Sequence, residues 1–402
     1  MTGAASERSG CPGLRLSAAT AAVALFAALG WAAPGWWTPI SDAPPPPLAH
    51  EPEATGSGAD VDLVALDPDN DVDGEDCEPE FAAPLGLAWL ARHQEADGRW
   101  SGPGDFALDS AADEAGETSR ATGVAPARTS LAILAFCEQG HTHRYGRYRD
   151  VVKRAAQWLV SQLDDRGRLV PGHAHTTRNQ ALVAYAVNEL YGRTKTPLLK
   201  DTAPRSIERL LALRKAGAAW GSTASDDHCD LAVSAWCLLA ISAARSGDVD
   251  VPGMREAVTD TVAWIESRTD SAHGDLTRTA IEFVCRVIAG YLKHDARIVK
   301  GLAPLGRWSP QVVDSRSAWH EDRFFVALAG RMDSNSETWR HIARSGRRAW
   351  VDAQRRDGYA VNGSWDPGPL EDDAGGRVFS TAVTMLAIGC VTSRYGFVSV
   401  FR

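Results

Sequence analysis

Between Ser225 and Trp236 the chain reads SDDHCDLAVSAW, which puts Asp226, Asp227, His228, Cys229 and Asp230 in consecutive positions ahead of an apolar run. Carboxylates move protons or cap helices, an imidazole titrates near neutrality, and a thiolate binds soft metals. Three chemistries are therefore open here: proton donation, metal ligation, or satisfaction of the free N–H groups that begin a helix. For the third, Asp230 or Asp227 is the expected N-cap. Its carboxylate would accept from the first turn, the neighbouring acids would favour the positive end of the helix dipole, and Cys229 would be small apolar filler.

A second acidic constellation lies upstream in DNDVDGEDCEPE. Asp69, Asp71, Asp73 and Glu80, with Gly74 between them, follow the spacing of a calcium loop, in which alternate oxygens wrap one hard cation and glycine permits the sharp turn. Against calcium, Asp76 stands where an apolar residue normally anchors such a loop, and Pro79 disturbs its exit. The pairs His141/His143 and His173/His175 have a spacing that can share a metal, but histidines in exposed loops are usually solvated or bonded to backbone. In CEQG (137–140) one residue too few separates Cys137 from Gln139 for the Cys-Gly-Glu-Gln internal thioester. No cofactor is required by these residues; zinc and calcium are the metals the patterns allow.

The segments that hold these groups differ sharply in composition. Residues 1–13 form a short N-terminal cytoplasmic segment. Residues 14–37 contain LSAATAAVALFAALGWAA behind Arg8 and Arg15, an uncharged run about as long as a bilayer-spanning helix requires, so a transmembrane anchor or signal segment is expected. The basic residues precede it and only acids follow, which places the remainder outside the cytoplasm, membrane-anchored, or secreted if the segment is cleaved. Residues 38–80 form a Pro-rich acidic linker: positions 41–80 hold thirteen Asp plus Glu and no Lys or Arg, a composition that cannot build a core. The net charge of −9 is thus a property of the linker, and residues 81–402 carry about +3. That balance offers no nucleic-acid surface. The seven cysteines are odd in number and scattered, and four of the last five sit in apolar runs as buried thiols would.

From residue 81 a unit recurs at roughly fifty-residue spacing: an amphipathic helix, a polar Gly turn, then a more apolar helix. The first helices carry Trp89, Trp158, Leu211, Trp264 and Trp350 at matching positions. The fifth of the six units, DARIVKGLAPLGRW, is interrupted by Pro304. Partner segments such as NQALVAYAVNELYG and DLAVSAWCLLAISAARSG are apolar nearly all round, as a helix enclosed on every side would be. An all-α fold is expected, an α/α toroid of about six helical hairpins over 81–402, with each hairpin burying its face against its neighbours.

With Gln94, Gly98 and Trp100 in QEADGRW, echoed by Gln354, Gly358 and Tyr359, the chain resembles the terpenoid cyclase and protein prenyltransferase toroids. DLAVSAWCLLA and NGSWDP…GGRVFSTAVTML are similar to exported bacterial squalene-cyclase-like (prenyltransferase and squalene oxidase repeat) proteins. The resemblance implies an active site at the mouth of the ring, where Asp227, Cys229 and Asp230 would be catalytic. In hopene cyclases the motif is Asp-x-Asp-Asp-Thr-Ala, whose middle Asp protonates the alkene, and here that position is Cys229. A thiol of pKa about 8.5 is far too weak an acid for that step. Prenyltransferase β-subunits would instead imply zinc held by Asp227, Cys229 and either His273 or His320. Trp236, Trp319, Phe324, Phe325 and Phe379 could line an isoprenoid cavity by cation–π attraction, or simply pack the core. The expected function is binding of an isoprenoid, lipid or protein partner without full cyclase chemistry. The alternative is an isoprenoid-modifying enzyme with its site at Asp227, Cys229 and Asp230.

Overall fold

Apolar residues at helical spacing become helices throughout the described part of the chain. A computed structural model describes residues 79–100, 114–171, 176–268, 276–291, 295–309, 319–333, 336–367 and 376–392, all within one unit, Pro68–Phe401. Asp69, Asp71, Asp73, His173, His175 and His273 lie outside the described residues, as do the side chains of Glu80, Trp319 and His320.

Among the described residues the chain forms twelve α-helices and no strand, beyond two isolated bridges. They are α1 (Pro79–Arg92), α2 (Glu114–Glu138), α3 (Arg149–Ser161), α4 (Thr177–Thr194), α5 (Thr202–Ala212), α6 (Leu231–Ser246), α7 (Met254–Ser267), α8 (Leu276–Ile288), α9 (Ala296–Leu305), α10 (Trp319–Met332), α11 (Glu337–Asp352) and α12 (Gly376–Thr392). Pro304 falls in the last turn of α9, so it ends that helix instead of interrupting it.

Odd-numbered helices bury one stripe; on α5 this is Ala203, Ser206, Ile207 and Leu210. Of the even-numbered helices, α4, α6 and α12 are buried almost throughout, while α8 buries six of its thirteen residues. The contacts explain the difference. The even helices touch in the order α2, α4, α6, α8, α10, α12, and α12 touches α2 again, while α1 lies against α2, α11 and α12. A helix with neighbours on both flanks and an odd-numbered helix behind it has no face left for water, hence its all-round apolar sequence.

The turns after α1, α5 and α11 share one construction. In each, an indole N–H donates to a carbonyl of the helix just finished: Trp100 to Leu90, Trp220 to Leu210 and Trp365 to Trp350, all at 2.8 Å. The backbone N–H of the same tryptophan reaches a hydroxyl on the following even helix, at Thr129, Ser234 and Thr381. Gln94 donates to the carbonyls of Gly98 and, on α3, Val151. Gln354 does the same at the other end of the chain, to Gly363 and to Ala82 on α1. The glycines at these turns are obligatory. Gly98 has φ +100°, and a Cβ there would lie 2.5 Å from the Arg154 carbonyl oxygen of α3; at Gly363, with φ +95°, a Cβ would lie closer still to the Leu85 carbonyl oxygen of α1.

These bonds correct the expected pairing of Gln354 with Gly358 and Tyr359. The structural counterparts are Gly363 and Trp365, because five extra residues separate Gln354 from its glycine compared with Gln94 and Gly98. Tyr359 is 85 % exposed. The added loop packs on α1 instead, with Ala360 accepting from the Trp89 indole and Asn362 from Arg92.

A second correction concerns the membrane. No helix among the described residues is long and apolar enough to cross a bilayer, and the 14–37 segment, where the sequence predicts a spanning helix, lies outside them. The apolar helices that are described, such as α12, are buried by protein along nearly their whole length. No membrane anchor is assigned.

The C-terminal ends of the even helices enclose charge. Glu138 of α2 is fully buried, near Arg193 and Glu189 of α4 and Arg331 of α10, and Gly389 of α12 leaves the room its side chain occupies. Glu189 and Arg193 pair at 2.8 Å. Burial pushes the Glu138 carboxyl up to about 8, with Glu189 adding to the rise and Arg193 and Arg331 opposing it. A carboxyl whose pKa is raised by folding contributes stability below its unfolded value of 4.5 and loses it as pH rises toward 8. Glu138→Gln removes that loss. Its stability relative to the native chain, followed by urea unfolding, should grow between pH 5 and pH 8, by at most about 1.4 kcal/mol per pH unit. A pH-independent difference would show that Glu138 is ionised in the fold.

Candidate functional site

The loop that carries the opening cluster is built outward from Trp220. The backbone N–H of Asp230 donates to the Trp220 carbonyl at 2.7 Å, and the Ser234 hydroxyl donates to the Asp230 carbonyl at 2.6 Å. Asp230 is thereby set in extended conformation immediately before α6. Its Oδ1 accepts the Val233 N–H at 2.9 Å, and its Oδ2 accepts the Ser222 hydroxyl at 3.2 Å. Both oxygens are engaged, as an N-cap requires.

Asp226 is committed to its own turn. It accepts the Thr223 hydroxyl at 2.8 Å and the Thr223 N–H at 2.6 Å, and these bonds hold its carboxyl below the usual range. The Lys215 ammonium donates to its carbonyl oxygen. Asp227 and His228 are exposed, and Cys229 is half-buried with its side chain against the core. The five adjacent residues therefore diverge: two acids hold backbone, two residues face water and one packs. Among the described residues no group of three His, Cys, Asp or Glu stands close enough to hold a metal ion. Both proposed third zinc ligands, His273 and the His320 side chain, lie outside the described residues.

Three of the five expected aromatics, Trp236, Phe324 and Phe325, converge in the core. Trp236 of α6 stacks on Phe324 of α10 at 5.1 Å with planes 7° apart, Phe325 meets it edge-on at 5.3 Å, and Tyr185 of α4 lies 6.3 Å away. Trp236 is 1 % exposed and both phenylalanines 0 %, so no water-sized space opens against these rings. Phe379 of α12 lies beneath the Arg178 guanidinium, 5.4 Å from its ring centre.

An acid the sequence pattern does not single out closes this core. Glu321, in the first turn of α10, is buried; its Oε2 meets Arg178 of α4 at 2.5 Å and its Oε1 accepts the Trp236 indole N–H. Arg178 and Glu321 lie 143 positions apart, which is why spacing cannot pair them. The only cue in the sequence is an acidic pair, Glu321 and Asp322, ahead of an otherwise apolar run. Both carboxylate oxygens of Glu321 are thus engaged by side chains of the core, one by a guanidinium and one by an indole.

The remaining candidates have local roles. His141 packs edge-on against Tyr148 at 5.1 Å, and burial lowers the pKa of both His141 and His143, with nearby Arg147 and Arg144 adding to the effect. Cys137, Cys237, Cys285 and Cys390 are buried thiols, and burial pushes Cys137 up to about 12. No family model matches this chain, and no curated protein matches it.

Since Asp230 caps α6 and Asp227 faces solvent, the two acids should respond differently to removal. Asp230→Ala should cost about 1 kcal/mol of stability in urea unfolding followed by circular dichroism, and Asp227→Ala less than about 0.5 kcal/mol. The reverse order would place Asp227 at the cap.

Proposed function

We propose that the chain is an α/α toroid of six helical hairpins that works by binding a partner at its rim, without cyclase or prenyl-transfer chemistry. Support for the toroid comes from the cyclic order of the even helices and from the Gly363 turn seated on α1. The observation that carries the functional half is the filled core. An isoprenoid cyclase needs an apolar chamber holding a strong acid, whereas here Trp236, Phe324 and Phe325 occupy one another's surfaces and Glu321 is tied to Arg178. The cluster at the mouth supports the same reading, since Asp230 is spent on the helix and Cys229 stands where an acid would be needed. The partner, an isoprenoid, lipid or protein, would meet the loops at the start of the even helices.

The alternative is an isoprenoid-modifying enzyme acting through Asp227, Cys229 and Asp230, with zinc if a later histidine completes the set. Metal analysis of the purified full chain, with incubation against squalene and against farnesyl diphosphate plus a thiol peptide, separates the two. A binding toroid predicts no stoichiometric zinc and no product. One zinc per chain that is lost in Cys229→Ala, or a product that is lost in Asp227→Asn, would establish the enzyme instead.

A further inference from the structure

Beside the loop of the opening cluster lies a cleft of about 400 Å³, formed where the turn between α3 and α4 approaches the end of α5. Its walls are of two kinds. Leu169, Val170 and Leu213 supply an apolar side, while Thr176, Gln180 and Arg209 supply polar groups. The lining is about half polar and the cleft is partly open to solvent; its volume falls in the range of small-ligand sites.

The charges around the cleft do not balance. Asp164 and Arg168 also reach it, but they neutralise each other: the Arg168 guanidinium meets Asp164 at 2.8 Å, and the same carboxylate accepts the backbone N–H groups of Arg166 and Arg168. Arg209 is left over. Its side chain is half-buried on α5, and its Nε is sealed from water with no hydrogen-bond partner among the described residues. The Nε is as far out of reach of a ligand as of water, so a ligand would meet the terminal N–H groups of this half-buried guanidinium, for which no ion pair forms among the described residues. Thr176 can add a second donor, because its oxygen accepts the Asn179 N–H and its own proton remains to give.

The geometry points to a binding site for a small aliphatic monocarboxylate, with its carboxylate on Arg209 and its chain along Leu169, Val170 and Leu213. A guanidinium matches a carboxylate through two parallel N–H bonds. One unmatched cation calls for a single negative charge, and a phosphate dianion would carry excess charge toward Asp164. This site is separate from Asp227, Cys229 and the aromatic core, and it stands whether or not the chain is a toroid.

Titration calorimetry of the full chain at pH 7 with octanoate tests the assignment, using octanamide and inorganic phosphate as comparison ligands. Octanoate should bind at one saturable site, octanamide and phosphate more weakly, and Arg209→Gln should weaken octanoate by about tenfold or more. Ala224→Trp, at an exposed position on the cleft wall, should weaken it comparably by filling the space. Equal melting temperatures for the variants and the native chain would show that both remain folded. Absence of octanoate binding, binding unchanged in both variants, or phosphate binding more tightly than octanoate would overturn the proposal.

Discussion

A glycine with no room for a side chain, pressed against a carbonyl of a neighbouring odd-numbered helix, is the constraint on which the architecture depends. It recurs at Gly98 against Arg154 of α3, at Gly167 against Arg205 of α5 and at Gly363 against Leu85 of α1. A left-handed glycine lets each turn lie flat on its neighbour, and at Gly98 and Gly363 the adjoining tryptophan and glutamine satisfy backbone groups that the helix ends leave open. Only with the hairpins held this closely can the even helices be apolar on every face. In the last of these contacts the turn before the last described helix meets the first described helix.

The interior shows what such packing does to chemistry. Inner helices that begin side by side bring their first turns together, and in a cyclase that arrangement would surround a chamber. Here the converging groups are used on one another. Arg178 neutralises Glu321, Trp236 donates to it, and the phenylalanines fill the remaining volume. Burial also separates the ionisable groups into two populations. Glu138 is enclosed among charges at the C-terminal ends of the even helices, while Asp226 and Asp227 stand in the loop before α6 in contact with water.

Much of this was legible in the sequence, for reasons that can be traced to particular residues. The helices followed from apolar periodicity because packing enforces it, and the Asp230 cap followed from an acid set just ahead of an apolar run. The Gln354 turn uses Gly363 and Trp365 in place of the expected Gly358 and Tyr359 because five inserted residues carry a decoy glycine and aromatic. The Arg178 and Glu321 pair escaped notice because nothing local couples residues so far apart. The same holds for Arg209, whose Nε has no hydrogen-bond partner among the described residues: a missing partner leaves no mark on the sequence. The apolar N-terminal run showed the opposite limit, since composition can propose a spanning helix without showing one.

Closure of the helix cycle between α12, the Gly363 turn and α1 is the central claim, and hydrogen exchange of the intact chain measures it most directly. Closure predicts that amides of α1 exchange as slowly as those of α12, although α1 precedes every other described helix. It also predicts that Gly363→Ala speeds exchange in α1 and in the turn after α11 together, since the new Cβ would meet the Leu85 carbonyl. Rapid exchange of α1 in the native chain, or an α1 unaffected by Gly363→Ala, would contradict closure and leave an open helical array.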